Sequence, residues 1–518
     1  MASNLILKNI YFGKTDAKNE LNENTPEQRK NFKDTFLLPA QFNLSDFVEG
    51  KKYFIYGLKG TGKTAFLRYL SIYIEDDLKN HTSFVLFKTN FDEADKQHFD
   101  KYANVVVSQS SFDGTDNNND FELAWKWFFF RHILDQLESK DLQLFEVDDN
   151  WKKFKRHMKA VRIDPSKSGL AKYLPIIEKG VVELKAASVK LGLDFIFSQK
   201  NETRVEFAQI VKVAEKYFES LTPVGKNFYI FLDELELAFQ EAADIYGRNS
   251  HLIRDLIVVA AKINALCRKK SYPIYIISSI RSEVLSTVFS SGKEINKEIE
   301  DFGLLIYWHQ AGGGLLEHPL IEMAIKRLRF AEQEHRHLTN LELWKKFFPE
   351  PIQGKAPERY ILDNTWYRPR DIVRLFTTAQ QMFPDSVSFS HKVFDGIRKK
   401  YSTSSWVEAT EELRAKYSVD EIEAIRQLFC GWKPRFTFEQ FAERIKNLSK
   451  VFPVVSTLEE RGAATILNDM YNIGIVGNNY QEDGDYKWRV RFVFRGDDHL
   501  LIDKQVMIHN ALKPYLSL

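Results

Sequence analysis

Only two cysteines, Cys267 and Cys430, occur in 518 residues. Two are too few for a disulfide framework, and neither has metal-type spacing, so the sequence predicts buried thiols in a reducing compartment. The twelve histidines are scattered; His98, His157, His309 and His391 have no ligand partners at metal spacing. Charge of one sign is lacking too: 73 basic residues against 71 acidic ones leave +2. A global basic field that would gather nucleic acid is therefore absent, and any such site must be local. No apolar run approaches the ~20 residues of a membrane helix, and the polar residues after Met1–Lys8 do not make a signal peptide. No nuclease, protease or deaminase constellation is found. These absences predict a cytoplasmic protein with no membrane contact.

What is abundant is phenylalanine, with 41 copies, which suits aromatic cores but names no ligand. The length allows roughly two to four domains. Residues 1–50 read as a lead-in with a charged, exposed stretch from Lys14 to Lys33. Beyond it, apolar runs alternate with helical patterns, as in a parallel α/β sheet buried on both faces. The runs are Tyr53–Tyr56, Phe84–Phe87, Phe228–Leu232, Ile274–Ile277 and Leu304–Trp308. Asp120–Leu137 reads as a crossover helix, and Asp113–Asp120 is an Asn/Asp loop. Residues 141–202 exceed what one crossover needs. They are expected to be an insertion with a small hairpin, Val181–Leu184 against Lys190–Leu193, separable from the core and facing a partner.

From residue 311 to 410 the pattern is helical. The segment 411–518 reads helix, strand, helix, helix, strand, strand: Val419–Cys430, Phe436–Phe438, Glu439–Leu448, Thr457–Ile473, Ile475–Tyr480 and Lys487–Phe494. That is the winged-helix order. The expected plan is thus an α/β core over 51–310, a helical lid over 311–410 and a winged-helix-like domain over 411–518.

The chemistry concentrates at Gly57-Leu58-Lys59-Gly60-Thr61-Gly62-Lys63-Thr64, which fits G-x-x-x-x-G-K-[ST] between an apolar strand and the helical run from Ala65. Glycines let backbone N–H groups converge on a phosphate, and a helix N-terminus adds a favourable dipole. Gly57, Lys59, Gly60, Thr61, Gly62 and Ala65 are read as the cradle, Lys63 as reaching the outer phosphates of ATP, and Thr64 as binding magnesium. The run Phe228–Leu232 ends in Asp233-Glu234. Asp233 is expected to be the second magnesium ligand, and Glu234 the base that activates the attacking water. The next run ends Ser278-Ser279-Ile280-Arg281, where Ser278 is read as sensing the γ-phosphate and Arg281 as meeting its charge. In Arg368-Pro369-Arg370-Asp371, proline opens a helix at its first turn, and Arg370 is preferred over Arg368 as the residue that bridges the lid to the nucleotide.

On these residues the chain resembles the AAA+ and STAND-like branch of P-loop ATPases. More narrowly, it is similar to bacterial ATPases akin to the KAP and origin-recognition types. Further stretches that carry the resemblance are Gly292–Ile299, Arg368–Ile372 and Phe494–Asp497. The resemblance implies a P-loop fold, ATP and magnesium, and an ATP-driven switch of the kind found in prokaryotic antiviral defence. A protein effector or sensor is the implied partner, and a homo-oligomer is compatible with the family.

The alternative reading is an initiator-type ATPase that docks its winged helix in DNA. Charge argues against it. Thr457–Ile473, the recognition-helix candidate, carries Glu459, Glu460 and Asp469 but only Arg461, and an acidic helix is repelled by phosphate. Lys487, Arg489, Arg491 and Arg495 are flanked by Glu482, Asp483, Asp485, Asp497 and Asp498.

Overall fold

The computed structural model describes residues 5–90, 121–164, 169–178, 181–184, 204–235, 243–289, 295–310, 312–332, 337–414, 416–482 and 487–518. The expected loop at 113–120, the strand at Lys190–Leu193 and part of the 292–299 stretch lie outside these residues. The chain divides into two units. One comprises Asn43–Gly57 and Leu70–Leu305, the other Met1–Phe42, Leu58–Tyr69 and Ile306–Leu518.

In the first unit the apolar runs form strands. They are β1 (Phe54–Gly57), β2 (His81–Leu86), β3 (Ile177–Glu178), β4 (Val181–Glu183), β5 (Arg204–Glu206), β6 (Phe228–Leu235), β7 (Ile274–Arg281) and β8 (Gly303–Leu305). Five of them build a sheet in the order β2-β6-β7-β1-β8, and every pairing is parallel. The fold is thus α/β, as the alternation of apolar runs and helical patterns predicts. Phe228, Tyr229, Ile230 and Phe231 of β6, an interior strand of the sheet, have no exposed surface, as expected of a parallel strand covered on both faces. Between Leu232 and Leu235 the β6–β7 register shifts, and Glu234 there takes a left-handed φ of 60°. A non-glycine residue is held in that region only when its surroundings impose it.

Helix α1 (Lys63–Ile72) follows β1 in the chain, and most of it, Lys63–Tyr69, belongs to the second unit. The helices named here in the first unit are α2 (Glu122–Ser139), α3 (Asp149–Ala160), α4 (Phe207–Phe218) and α5 (Ala243–Lys270). The start of the 141–202 segment packs against other elements of this unit. Phe154 of α3 lies 5.8 Å from Phe218, and Phe145 lies 5.2 Å from Tyr272. Phe130 of α2 closes on the same Phe218 at 4.8 Å. Apolar pattern, rather than chain length, decides where these residues go: Phe145 and Phe154 are almost fully buried. Val181–Glu183 forms a strand as expected, but its described partners are β3 and β5, both antiparallel to it.

The second unit begins with the lead-in, which is less exposed than its charge suggests. Phe12 packs 4.7 Å from Phe376, and Leu7 N–H donates to Ser386 O at 2.7 Å. Pro26–Thr35 is a helix capped by Thr25, with Phe32 buried. The helical region contains α6 (Pro319–Ala331), α7 (Pro369–Met382) and α8 (His391–Leu413). Proline opens both α6 and α7, where its missing N–H breaks no helical bond.

The C-terminal part holds α9 (Val419–Phe429), α10 (Phe438–Ser449), α11 (Pro453–Arg461) and α12 (Ala463–Asn472), with strands β9 (Arg435–Phe436), β10 (Val476–Tyr480), β11 (Arg489–Arg491) and β12 (Val506–Ile508). Reciprocal capping boxes at Ser418/Glu421 and Thr437/Gln440 start α9 and α10. The expected single helix Thr457–Ile473 is two, broken where Gly462 takes φ 81°, a conformation glycine adopts without a Cβ penalty. The strand expected over Lys487–Phe494 spans only Arg489–Arg491 before a 3-10 turn. An unanticipated β12 lies between β10 and β9 in the antiparallel order β11-β10-β12-β9.

Candidate functional site

Strand β1 ends at Gly57, and the glycine-rich loop follows it directly into α1. Gly60 and Gly62 sit at φ 82° and 96°, left-handed values that side chains rarely tolerate. A Cβ on Gly60 would also come within 3.4 Å of Arg368 and Arg370. The loop is pinned from inside: Thr61 Oγ1 donates to Leu58 O at 2.8 Å, and Lys63 Nζ donates to the same oxygen at 2.9 Å. Trp308 Nε1 donates to Thr61 O at 2.8 Å. Helix α1 starts at Lys63, so Lys63 and Thr64 occupy its positive end and Ala65 its first turn.

The helical region meets this loop through charge. Arg370 N–H reaches Gly60 O at 3.4 Å, so the preferred arginine does adjoin the loop, although by its backbone. Its guanidinium turns to Glu408 at 2.7 Å and to Thr15 O at 3.0 Å. Lys59 Nζ is held by Glu408 at 3.0 Å and Glu411 at 3.1 Å. Arg374 joins Glu408 at 3.0 Å and Asp371 at 2.7 Å. Burial pushes the Glu408 carboxyl up, but Arg370, Lys59 and Arg374 outweigh it and hold the group down at about 2. Asp371 goes the other way, since burial raises it despite Arg374 and Arg368. Glu408 and Glu411 lie near the C-terminal end of the long helix α8 with no motif around them, so no sequence signal marks them.

In the sheet unit, Asp233 is buried at 2% exposure and accepts a hydrogen bond from Ser279 Oγ. Ser279, the neighbour of Ser278 on the strand, is thus one polar residue that touches Asp233. Ser278 pairs in register with Phe54 and Leu232, and its hydroxyl is buried without a partner among the described residues. Glu234 Oε2 accepts from Thr89 N–H at 3.1 Å and from Thr89 Oγ1 at 2.6 Å. Arg281 ends β7 in register with Gly57, and its guanidinium approaches Glu283 at 3.4 Å.

Residues 318–408 match the FunZ-associated C-terminal helical domain family. The matched span takes in α6, α7 and most of α8, and it includes Arg370, Arg374 and Glu408. It covers under a fifth of the chain. No curated protein matches the sequence. Among the described residues, no helix is long and apolar enough to cross a membrane.

Proposed function

We propose that the chain is an ATP-binding, ATP-hydrolysing switch of the P-loop type that signals to a protein partner. The observation that carries this reading is the loop Gly57–Thr64: a buried strand, two left-handed glycines and a helix that opens on Lys63 and Thr64. By the roles these positions hold in P-loop ATPases, Lys63 binds the outer phosphates, with Arg370 and Arg281 meeting their charge. The Thr64 hydroxyl and the Asp233 carboxylate are hard oxygen donors suited to magnesium, which would draw charge from the phosphate oxygens. Glu234 is the residue to take the proton of the attacking water, whose oxygen bonds to phosphorus as the bond to the ADP oxygen breaks.

Phosphate release from Mg-ATP tests the hydrolytic part. Glu234→Gln is expected to retain ATP and slow release by roughly a hundredfold or more. An unchanged rate would remove Glu234 from the chemistry.

A protein partner is favoured over DNA, and antiviral defence remains the setting suggested by the family resemblance. If the C-terminal part is a winged helix, α12 is its recognition helix, yet Ala463–Asn472 contains no lysine or arginine. Its acidic Asp469 is engaged by Lys416 and Tyr417, and Arg461 of α11 is tied to Glu421. Val451, Phe452 and Val454 at the start of α11 are instead exposed, an apolar cluster of the sort that protein partners cover. Duplex DNA bound with an affinity that falls steeply as salt rises would reverse this preference.

A further inference from the structure

A cavity of about 190 Å³ opens between α7, α8 and the segment 510–518, and no residue of the glycine-rich loop lines it. All of its lining belongs to the second unit. Leu375 of α7, Ile397 and Tyr401 of α8, and Tyr360 of the helix Pro357–Asp363 form its inner wall, and all four are buried. Lys355, Arg398 and Lys513 line it too, and no aspartate or glutamate does. Cations gathered around one apolar hollow repel one another unless an anion stands between them.

The nearby carboxylates leave that need unmet. Asp363 pairs with Lys355 at 2.8 Å, and Asp395 is engaged by Gln353 and His391. Lys513 Nζ donates to Asn510 Oδ1 at 2.7 Å and has no carboxylate partner among the described residues. Arg398 has neither an ion pair nor a hydrogen bond among them. Leu518 also borders the cavity but pairs with none of the three. Burial holds the Lys513 ammonium below its ordinary value; Arg435 and Lys355 add to the effect, and Asp363 opposes it. The Tyr360 hydroxyl is pushed up to about 12 by burial, with Arg398 near enough to oppose the rise. That hydroxyl therefore keeps its proton, and it has no acceptor among the described residues.

We propose that this cavity binds a small organic phosphate, its apolar part against Leu375, Ile397 and the tyrosine rings and its phosphate held by Arg398, Lys513 and Lys355. A phosphate monoester brings nearly two negative charges at neutral pH and three acceptor oxygens. Those oxygens match the unspent donors of Arg398 and Tyr360. The volume exceeds the ~150 Å³ that admits a benzene and falls short of the ~300 Å³ at which drug-sized sites begin. A ligand of roughly one ring fits such a space. The site stands apart from the ATPase reading and does not depend on it, although its walls are the helices that carry Arg370 and Glu408.

The test is titration of the full chain with phenyl phosphate, inorganic phosphate and phenol. Wild type is compared with Lys63→Ala, which removes a phosphate-loop contact, and with the double variant Arg398→Gln, Lys513→Gln. Phenyl phosphate should bind wild type and Lys63→Ala alike, and bind the double variant about tenfold or more weakly, on the scale of one charged hydrogen bond. Arg398 is exposed, so Arg398→Glu alone decides the matter if the double variant does not fold. Binding lost in Lys63→Ala but kept in the Arg398 variants would place the phosphate in the loop and overturn the proposal. No binding of phenyl phosphate at about 10 mM would overturn it as well. Phenol or inorganic phosphate binding as tightly as phenyl phosphate would overturn the joint use of apolar wall and cations.

Discussion

Lys59 in the glycine-rich loop and Glu408 in helix α8 form a 3.0 Å ion pair, and the same carboxylate holds Arg370 at 2.7 Å. One side chain of the helical region therefore grips both the loop and the arginine that lies against it. Together with the Arg370 N–H contact to Gly60 O, this ion pair ties the loop to the helices.

Glu408 gives a pH-dependent prediction. Its folded pKa, which burial raises but Arg370, Lys59 and Arg374 hold down at about 2, lies below the ordinary glutamate value of 4.5. The stability it contributes is therefore complete above pH 4.5 and is lost as pH falls toward 2. A shift of that size is worth on the order of 3 kcal/mol. The melting-temperature gap between wild type and Glu408→Gln should stay constant from pH 8 to 5.5 and shrink below 4.5. A gap that ignores pH through that range would show that the charge of Glu408 does not stabilise the fold.

Thr89 and Glu234 give a second. Because Thr89 Oγ1 and N–H both bind Glu234 Oε2, the proposed base is occupied by hydrogen bonds that must be released or shared with water during catalysis. Thr89→Val should leave ATP affinity within about threefold and change the rate of phosphate release by several-fold or more, on the scale of one charged hydrogen bond. An identical rate would mean that the contact is only structural.

Phe154 gives a third. It is fully buried against Phe218 and Phe130, so Phe154→Ala should cost about 3–5 kcal/mol. Replacing 141–202 with a Gly/Ser linker should lower the melting temperature sharply or cause aggregation. Survival of both changes with little loss would show that this segment is a separable module.

The long features were legible in the sequence. Strands β1, β6 and β7 carry continuous apolar runs, the loop has a fixed spacing, and α7 opens on proline. What escaped is short or tertiary. Strand β12 spans three residues, too few to show a period. The break at Gly462 lay inside an otherwise helical pattern, where one glycine is usually tolerated. Ser278 and Ser279 are neighbours on a strand and face opposite ways; a run apolar on both faces does not say which of them reaches Asp233. The Glu408 cluster and the cavity bordered by Arg398 join residues far apart in the chain, so nothing local announces them.

The central claim rests on the phosphate loop, and Lys63 is its most decisive side chain. Thermal unfolding of wild type and Lys63→Ala with and without Mg-ATP measures it, since a ligand that binds only the folded chain raises its melting temperature in step with affinity. We expect matching melting curves without nucleotide, a clear rise for wild type with Mg-ATP, and little or none for Lys63→Ala. Equal stabilisation of the two proteins, or none of wild type at millimolar Mg-ATP, would contradict the assignment of the loop as an ATP site.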